Sequence, residues 1–173
     1  MEENCMGERS QIRMQKLIFD SFRELMENND FSDITITDIA DKALVHRNTV
    51  YHHFTDKYDL LDKFINYEFK NREFNFRNFK DQPFKFFHDL YYSSIEKVIN
   101  QQKDDHTFET IAQNSFLKLI INTQNDEHVF WQIGKIAGIL LWNDLNENKY
   151  DMFRDYQLLD EIYRTEKFPK NNE

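Results

Sequence analysis

Residues 35–61, TITDIADKALVHRNTVYHHFTDKYDLL, hold three helical patterns in immediate succession, two of them very short. Thr35 can cap a first helix, and Asp38, three residues on, completes a capping box and suits the positive end of the helix dipole. Ile36, Ile39, Ala40 and Ala43 give that helix a short apolar face, and the pattern jumps at Leu44-Val45. A second short helix fits Arg47–Phe54, with Val50 and Phe54 facing inward. Thr55-Asp56-Lys57 is a polar joint, and Asp56 can cap a longer helix with Leu60, Leu61, Phe64, Ile65 and Phe69 inward. Upstream, Ile12, Leu17, Ile18, Phe22, Leu25 and Met26 recur at helical spacing. This first helix is expected to open at Arg9 or Ser10 and to stop at Asn28-Asn29-Asp30, with Phe31 as an apolar plug. A helix-turn-helix supported by a first helix and followed by a fourth is the arrangement these joints allow.

Composition agrees with an all-α chain. Three glycines and two prolines are too few for strand-rich folds or phosphate-cradling loops. No G-x-G-x-x-G or G-K-[ST] occurs, which removes the common nucleotide-binding fingerprints. The single cysteine, Cys5, has no internal partner for a disulfide, and a reducing cytoplasm is the natural reading. The polar start MEENCMGERS does not read as a signal peptide. The most apolar run, Val129–Trp142, is interrupted by Gln132 and Lys135 and falls short of the roughly 20 residues a membrane span takes. No membrane partner is expected.

The chain carries 22 lysines and arginines against 31 acids, a net charge of −9, so bulk charge does not mark a nucleic-acid binder. A local patch does. HRNTVYHHFTDK, residues 46–57, holds one arginine, three histidines and a lysine with one acid, Asp56. A recognition helix presents its N-terminal residues to base edges in the major groove. Arg47 can bridge guanine O6 and N7, and Asn48 can pair with adenine N6 and N7. Thr49, Tyr51, His52 and His53 carry groups that suit phosphate oxygens. Lys57 at the start of the fourth helix, and Thr35 and Thr37 at the start of the second, are further phosphate candidates. Either histidine could equally be an ordinary surface residue, and Tyr51 a core residue with its hydroxyl in water. Phe54, Val50, Ile39 and Leu60 read as core.

Residues 9–69 resemble the TetR/AcrR family of bacterial transcriptional regulators. The likeness rests on the Thr-x-x-Asp-Ile-Ala helix start, Val45, the Arg-x-Thr-hydrophobic-Tyr-x-His-Phe helix and the x-x-Lys-x-x-Leu-Leu opening of the next helix. The chain departs from the family at Leu44, where glycine is usual. A left-handed turn there costs about 1 kcal/mol or more without glycine, so a reshaped turn is expected. The resemblance implies a DNA-binding domain at 1–69, with the helix-turn-helix at about 35–54, and a helical dimerisation and effector domain at 70–173.

Within that second region the junction is expected in the irregular stretch 70–83, where Phe74, Phe76 and Phe79 define no single face. One helix is expected from Asp81 or Pro83 through Phe84, Phe87, Tyr91, Ile95 and Val98, and others at about 106–123, 126–146 and 150–164, before a frayed tail. In HVFWQIGKIAGILLWNDL, Phe130, Gly134, Gly138 and Leu141 share one broad face, and the glycines would let a second helix approach closely. These residues, with Phe153 and Tyr156 of the last helix, are the expected homodimer contact; a plain core helix is the alternative. The spacing Phe-x-x-x-Gly-x-x-x-Gly-Ile also resembles the subgroup of dihydroxyacetone kinase regulators.

Phe87, Tyr91, Phe108, Phe116 and Trp131 could line a pocket for a small apolar or aromatic effector, or could simply be core. His88, His106 and His128 lie far apart in the chain without metal-ligand spacing, and no metal or other cofactor is expected. No nucleophile–base pair points to an enzyme. Two readings of function stand. One is a dimeric repressor on a palindromic operator of double-stranded DNA, released by an effector. The other is a DNA-binding adaptor of the same fold, controlled by a protein partner without a small-molecule ligand.

Overall fold

The computed structural model describes residues 2–71, 79–93, 95–124 and 127–169. Phe74 and Phe76 of the expected junction, the Cys5 side chain and most of the expected frayed tail lie outside these described residues. The described residues form helices and turns, without strands. In chain order the helices are α1 (Glu2–Met26), α2 (Ile36–Lys42), α3 (Arg47–His53), α4 (Lys57–Asn71), α5 (Pro83–Tyr91), α6 (Glu96–Gln101), α7 (His106–Gln124), α8 (His128–Leu145) and α9 (Tyr156–Thr165). None of them is long and apolar enough to cross a membrane. The chain divides into two compact units, residues 1–72 with 97–116, and residues 73–96 with 117–173.

The first unit is organised by α1. Ile18, Phe22 and Met26 repeat every four residues and are fully buried, with Phe19 beside them. Phe22 sets its ring against Phe31 at 6.2 Å and Phe64 at 5.7 Å, and Phe19 against Phe54 at 5.5 Å. Each buried ring contributes roughly 1.5–3 kcal/mol through lost water contact. Leu60, Leu61, Phe64, Ile65 and Phe69 of α4 are all buried, as their spacing predicts. The expected face of α1 is corrected at its outer end. Helix α1 begins at Glu2, well before Arg9, while Ile12 and Leu17 are exposed, so its first half lies beyond this core.

Residues 97–116 join this unit, although their position in the chain assigned them to the second domain. The reason is polar. Gln102 is buried; its Nε2 donates to the Met26 and Asn29 carbonyls, both at 2.7 Å, and its Oε1 accepts from Phe31 N at 2.7 Å. Asp105 accepts from Ser32 N at 2.7 Å, Ser32 Oγ at 3.0 Å and Phe108 N at 2.9 Å. Gln102 thus meets the last carbonyl of α1 and backbone groups of the loop after it, while Asp105 holds that loop and the first turn of α7.

In the second unit α9 packs against α5 and α8. Pro83 occupies the first turn of α5, and Gln82 makes no side-chain cap there. The cap comes instead from Asp160 of α9, whose two carboxylate oxygens accept from Phe84 N and Lys85 N, each at 2.9 Å. The helix expected to run from Pro83 to Val98 is broken after Tyr91. Ser93 Oγ donates to the Leu90 carbonyl at 2.6 Å, a local bond that competes with helix continuation. The last helix also starts later than residue 150. Asp151 accepts from Phe153 N at 2.9 Å and Arg154 N at 2.8 Å, holding a turn until Tyr156.

Candidate nucleic-acid interface

Helix α2 starts as its residues dictate. Thr35 Oγ1 accepts from Asp38 N at 3.2 Å, and Asp38 Oδ2 accepts from Thr35 N at 2.8 Å. The same hydroxyl donates to Asp38 Oδ2 at 2.6 Å, so Thr35 is occupied by the cap. These bonds hold the Asp38 carboxyl below its ordinary range, the Thr35 hydroxyl bond first. Thr37 is exposed in the first turn and has no partner among the described residues.

The turn between α2 and α3 is a Schellman motif. Val45 N donates to the Ala40 carbonyl at 2.9 Å and Leu44 N to the Asp41 carbonyl at 3.1 Å. Leu44 takes φ 54° in the position that normally asks for glycine. The expected reshaping is therefore corrected: the left-handed turn is kept, and the side chain, 92% exposed, meets no obstacle.

His46 caps α3, its Nδ1 accepting from Asn48 N at 3.2 Å. Val50 and Phe54 are buried, and the Phe54 ring at the end of α3 packs on Phe19 of α1. That leaves Arg47, Asn48, Tyr51 and His52 exposed on the outer surface, with Thr49 and His53 half-buried. Neither Arg47 nor the Asn48 side chain is engaged by another described residue, so both are free to reach a ligand. Burial, and then the neighbouring charges of His52 and Lys63, hold the His53 imidazole below the usual histidine value. Arg47 is the arginine of α3.

Lys57 departs from its expected role. Its Nζ donates to the carbonyls of Phe31, Ser32 and Ile34 at 3.0, 2.8 and 3.0 Å. An ammonium has three donors, so none remains for a phosphate. The N-terminus of α4 is likewise filled by Asp56, whose Oδ1 accepts from Tyr58 N at 2.9 Å and Asp59 N at 2.8 Å. Lys57 clamps the loop before α2. Basic residues that the sequence reading missed are Arg9, Arg13 and Lys16 of α1, all exposed. Their i, i+4, i+7 spacing was the available signal. On the same stretch, Gln11, Ile12 and Gln15 face His52 and His53 across a shallow groove, which brings this part of α1 beside α3.

The residues expected at a dimer contact divide. Phe130 and Leu141 are 60% and 59% exposed, and a Cβ built on Gly134 or Gly138 meets nothing within 4 Å. Phe153 and Tyr156 are half-buried inside the second unit: Phe153 stacks on Tyr91 at 4.4 Å, and Tyr156 lies 4.3 Å from His88. The five aromatics expected to line one pocket are not gathered. Phe108 packs on Phe31 and Phe116 on Phe69 in the first unit. In the second unit Phe87 belongs to a ring cluster with Phe79, Phe84 and Phe86, and Trp131 is 77% exposed. Each ring has found a nearer neighbour or solvent. Among the described residues no group of three or more His, Cys, Asp or Glu is placed to hold a metal ion.

Comparison with known proteins agrees with this geometry. Residues 18–64 match the family described as bacterial regulatory proteins, tetR family. The fold is similar to a crystal structure of a transcriptional regulator, FadR from Bacillus subtilis, in complex with stearoyl-CoA. That likeness has a TM-score of 0.50 at 15% identity and covers 87% of this chain and 97% of the other. No curated protein matches the chain. With α1 beside a capped α2–turn–α3 and a free Arg47–Asn48 edge, the described residues of 18–64 have a helix-turn-helix geometry over the stretch that is similar to the tetR family of bacterial regulatory proteins.

Proposed function

We propose that the protein is a cytoplasmic transcriptional repressor that binds a palindromic operator as a homodimer and is released by a small apolar or aromatic effector. The observation that carries this reading is the unpaired Arg47–Asn48 edge of α3, backed by buried Val50 and Phe54. Such an edge enters the major groove, and two copies would be spaced about 34–36 Å apart to meet successive turns of the duplex. The exposed Phe130, Gly134, Gly138 and Leu141 face supports the pairing of two copies. Thr37, Thr49, Tyr51 and His52, with Arg9, Arg13 and Lys16, are the proposed phosphate contacts. Binding, not catalysis, is the activity proposed.

Release follows from linkage: the effector must bind the DNA-incompetent state more tightly than the competent one. The similar FadR structure holds stearoyl-CoA, and an apolar acyl chain is one effector class this reading accommodates.

The experiment is a binding-site selection with the wild type, Arg47→Ala and Asn48→Ala, together with a salt titration. Loss of a base contact costs about 1–3 kcal/mol and relaxes preference at one or two operator positions. Unchanged sequence preference in both variants, or a salt slope near zero, refutes the reading. A thermal-shift screen with apolar metabolites separates an effector-released repressor from a partner-controlled adaptor.

A further inference from the structure

Helix α8 has a second face distinct from its glycine-containing one. His128, Trp131, Gln132 and Lys135 recur at i, i+3, i+4 and i+7, which places them on one side of the helix. Together with Tyr163 and Arg164 of α9 and Lys80, they wall a recess of about 500 Å³ in the second unit. That volume falls in the range of small-molecule sites, about 300–1,000 Å³.

The recess reverses the charge of the chain around it. Lys80, Lys135 and Arg164 are cations, against one lining carboxylate, Asp81, in a protein of net charge −9. Lys135 is partly neutralised by Glu166 at 2.8 Å and lies 4.7 Å over the Tyr163 ring. Lys80 and Arg164 make no ion pair within 4.0 Å among the described residues, although Arg164 lies near enough to Asp160 to act on its carboxyl. Trp131 is 77% exposed and offers a flat π surface at the rim. Gln132 is only 8% exposed, yet its Oε1 is buried without a hydrogen-bond partner. Buried acceptors are nearly always met, so this amide calls for a donor.

We propose that this recess binds a small aromatic anion: a flat ring against Trp131, a carboxylate or phosphate on Arg164 and Lys80, and an adjacent hydroxyl donating to Gln132. The site is read from the second unit alone and does not depend on the operator reading.

The test is calorimetric titration of the full chain with salicylate and with phenyl phosphate, and with benzyl alcohol and inorganic phosphate as controls that carry only half of the chemistry. Saturable binding of at least one aromatic anion, one per chain, is expected, with both controls much weaker. Arg164→Gln and Trp131→Ala alter exposed positions, so both variants should fold. Each should weaken binding about tenfold, the loss of one charge-assisted bond or one ring contact. The proposal is overturned if neither aromatic anion binds saturably, if a control binds as tightly, or if either variant binds like the parent.

Discussion

Lys57 Nζ lies 4.8 Å over the centre of the Phe31 ring and donates to the Phe31 carbonyl oxygen at 3.0 Å. The two further bonds to Ser32 and Ile34 make the ammonium a clamp on the backbone that delivers the chain into α2. Lys57→Met keeps the stem and removes the donors. Hydrogen bonds to charged groups contribute about 1.5–3 kcal/mol, and the carbonyls released here can partly reach water, so a loss of about 1–3 kcal/mol is expected in urea unfolding. The salt slope of DNA binding should stay as in the wild type. A phosphate contact would instead lower that slope by about one unit at unchanged stability, and that pair of results would return Lys57 to the DNA interface.

Leu44 gives a prediction of opposite sign. It holds φ 54° with a fully solvated side chain, so the strain of the left-handed turn is uncompensated by packing. Leu44→Gly should raise stability by about 1 kcal/mol. Chemical denaturation reads this directly. An equal loss would mean that the leucine side chain contributes through a contact that its exposure does not suggest.

How much could be read beforehand follows a physical line between local and long-range bonds. The Thr35–Asp38 box and the Asp56 cap span two or three residues, and capping chemistry exposes them in the sequence. The inward set Leu60, Leu61, Phe64, Ile65 and Phe69 follows from helical period alone. Phe31 N meets Gln102, and Ser32 N meets Asp105, across 71 and 73 residues, and no periodicity announces such pairs. The same is true of Lys57: its lysine-at-a-helix-start signal suits an anion equally well, and only the path of residues 31–34 decides. The aromatic pocket failed for a related reason, since ring content in a sequence does not say which ring meets which. Phe108 and Phe116 found partners on α1–α4 elements that precede them by many residues.

Two buried carboxylates give the units opposite responses to acid. Burial raises the Asp105 carboxyl, but the bonds from Phe108, Ser32 and Thr107 together outweigh it and hold it below 3.8. A depressed acid contributes stability that is present above its unfolded value and lost as pH falls through its folded one. Asp160 is the reverse. Burial pushes it above 3.8, and the bonds from Phe84 and Lys85 offset only part of that. Its contribution is present below the unfolded value and lost as pH rises through the raised folded value. The Tm difference between wild type and Asp105→Asn should therefore shrink below pH 3.8, and that between wild type and Asp160→Asn should shrink as pH rises above 3.8. Differences that stay flat with pH would show that neither carboxylate is linked to folding.

The glycine face of α8 allows dimerisation to be tested without disturbing the fold of one chain. A Cβ added at Gly138 meets nothing within 4 Å, and the site lies in the interior of an 18-residue helix. Replacing a helix-interior glycine by leucine favours the helix by up to about 1 kcal/mol, so Gly138→Leu should leave the single chain as stable or more stable. If Phe130, Gly134, Gly138 and Leu141 form the subunit contact, the same leucine removes the close approach that glycine permits and should shift the protein toward monomer. Operator affinity should then drop, because two half-sites are no longer read together. Sedimentation velocity and DNA titration on the same sample measure both effects. A Gly138→Leu protein that remains a dimer with full operator affinity places the contact elsewhere.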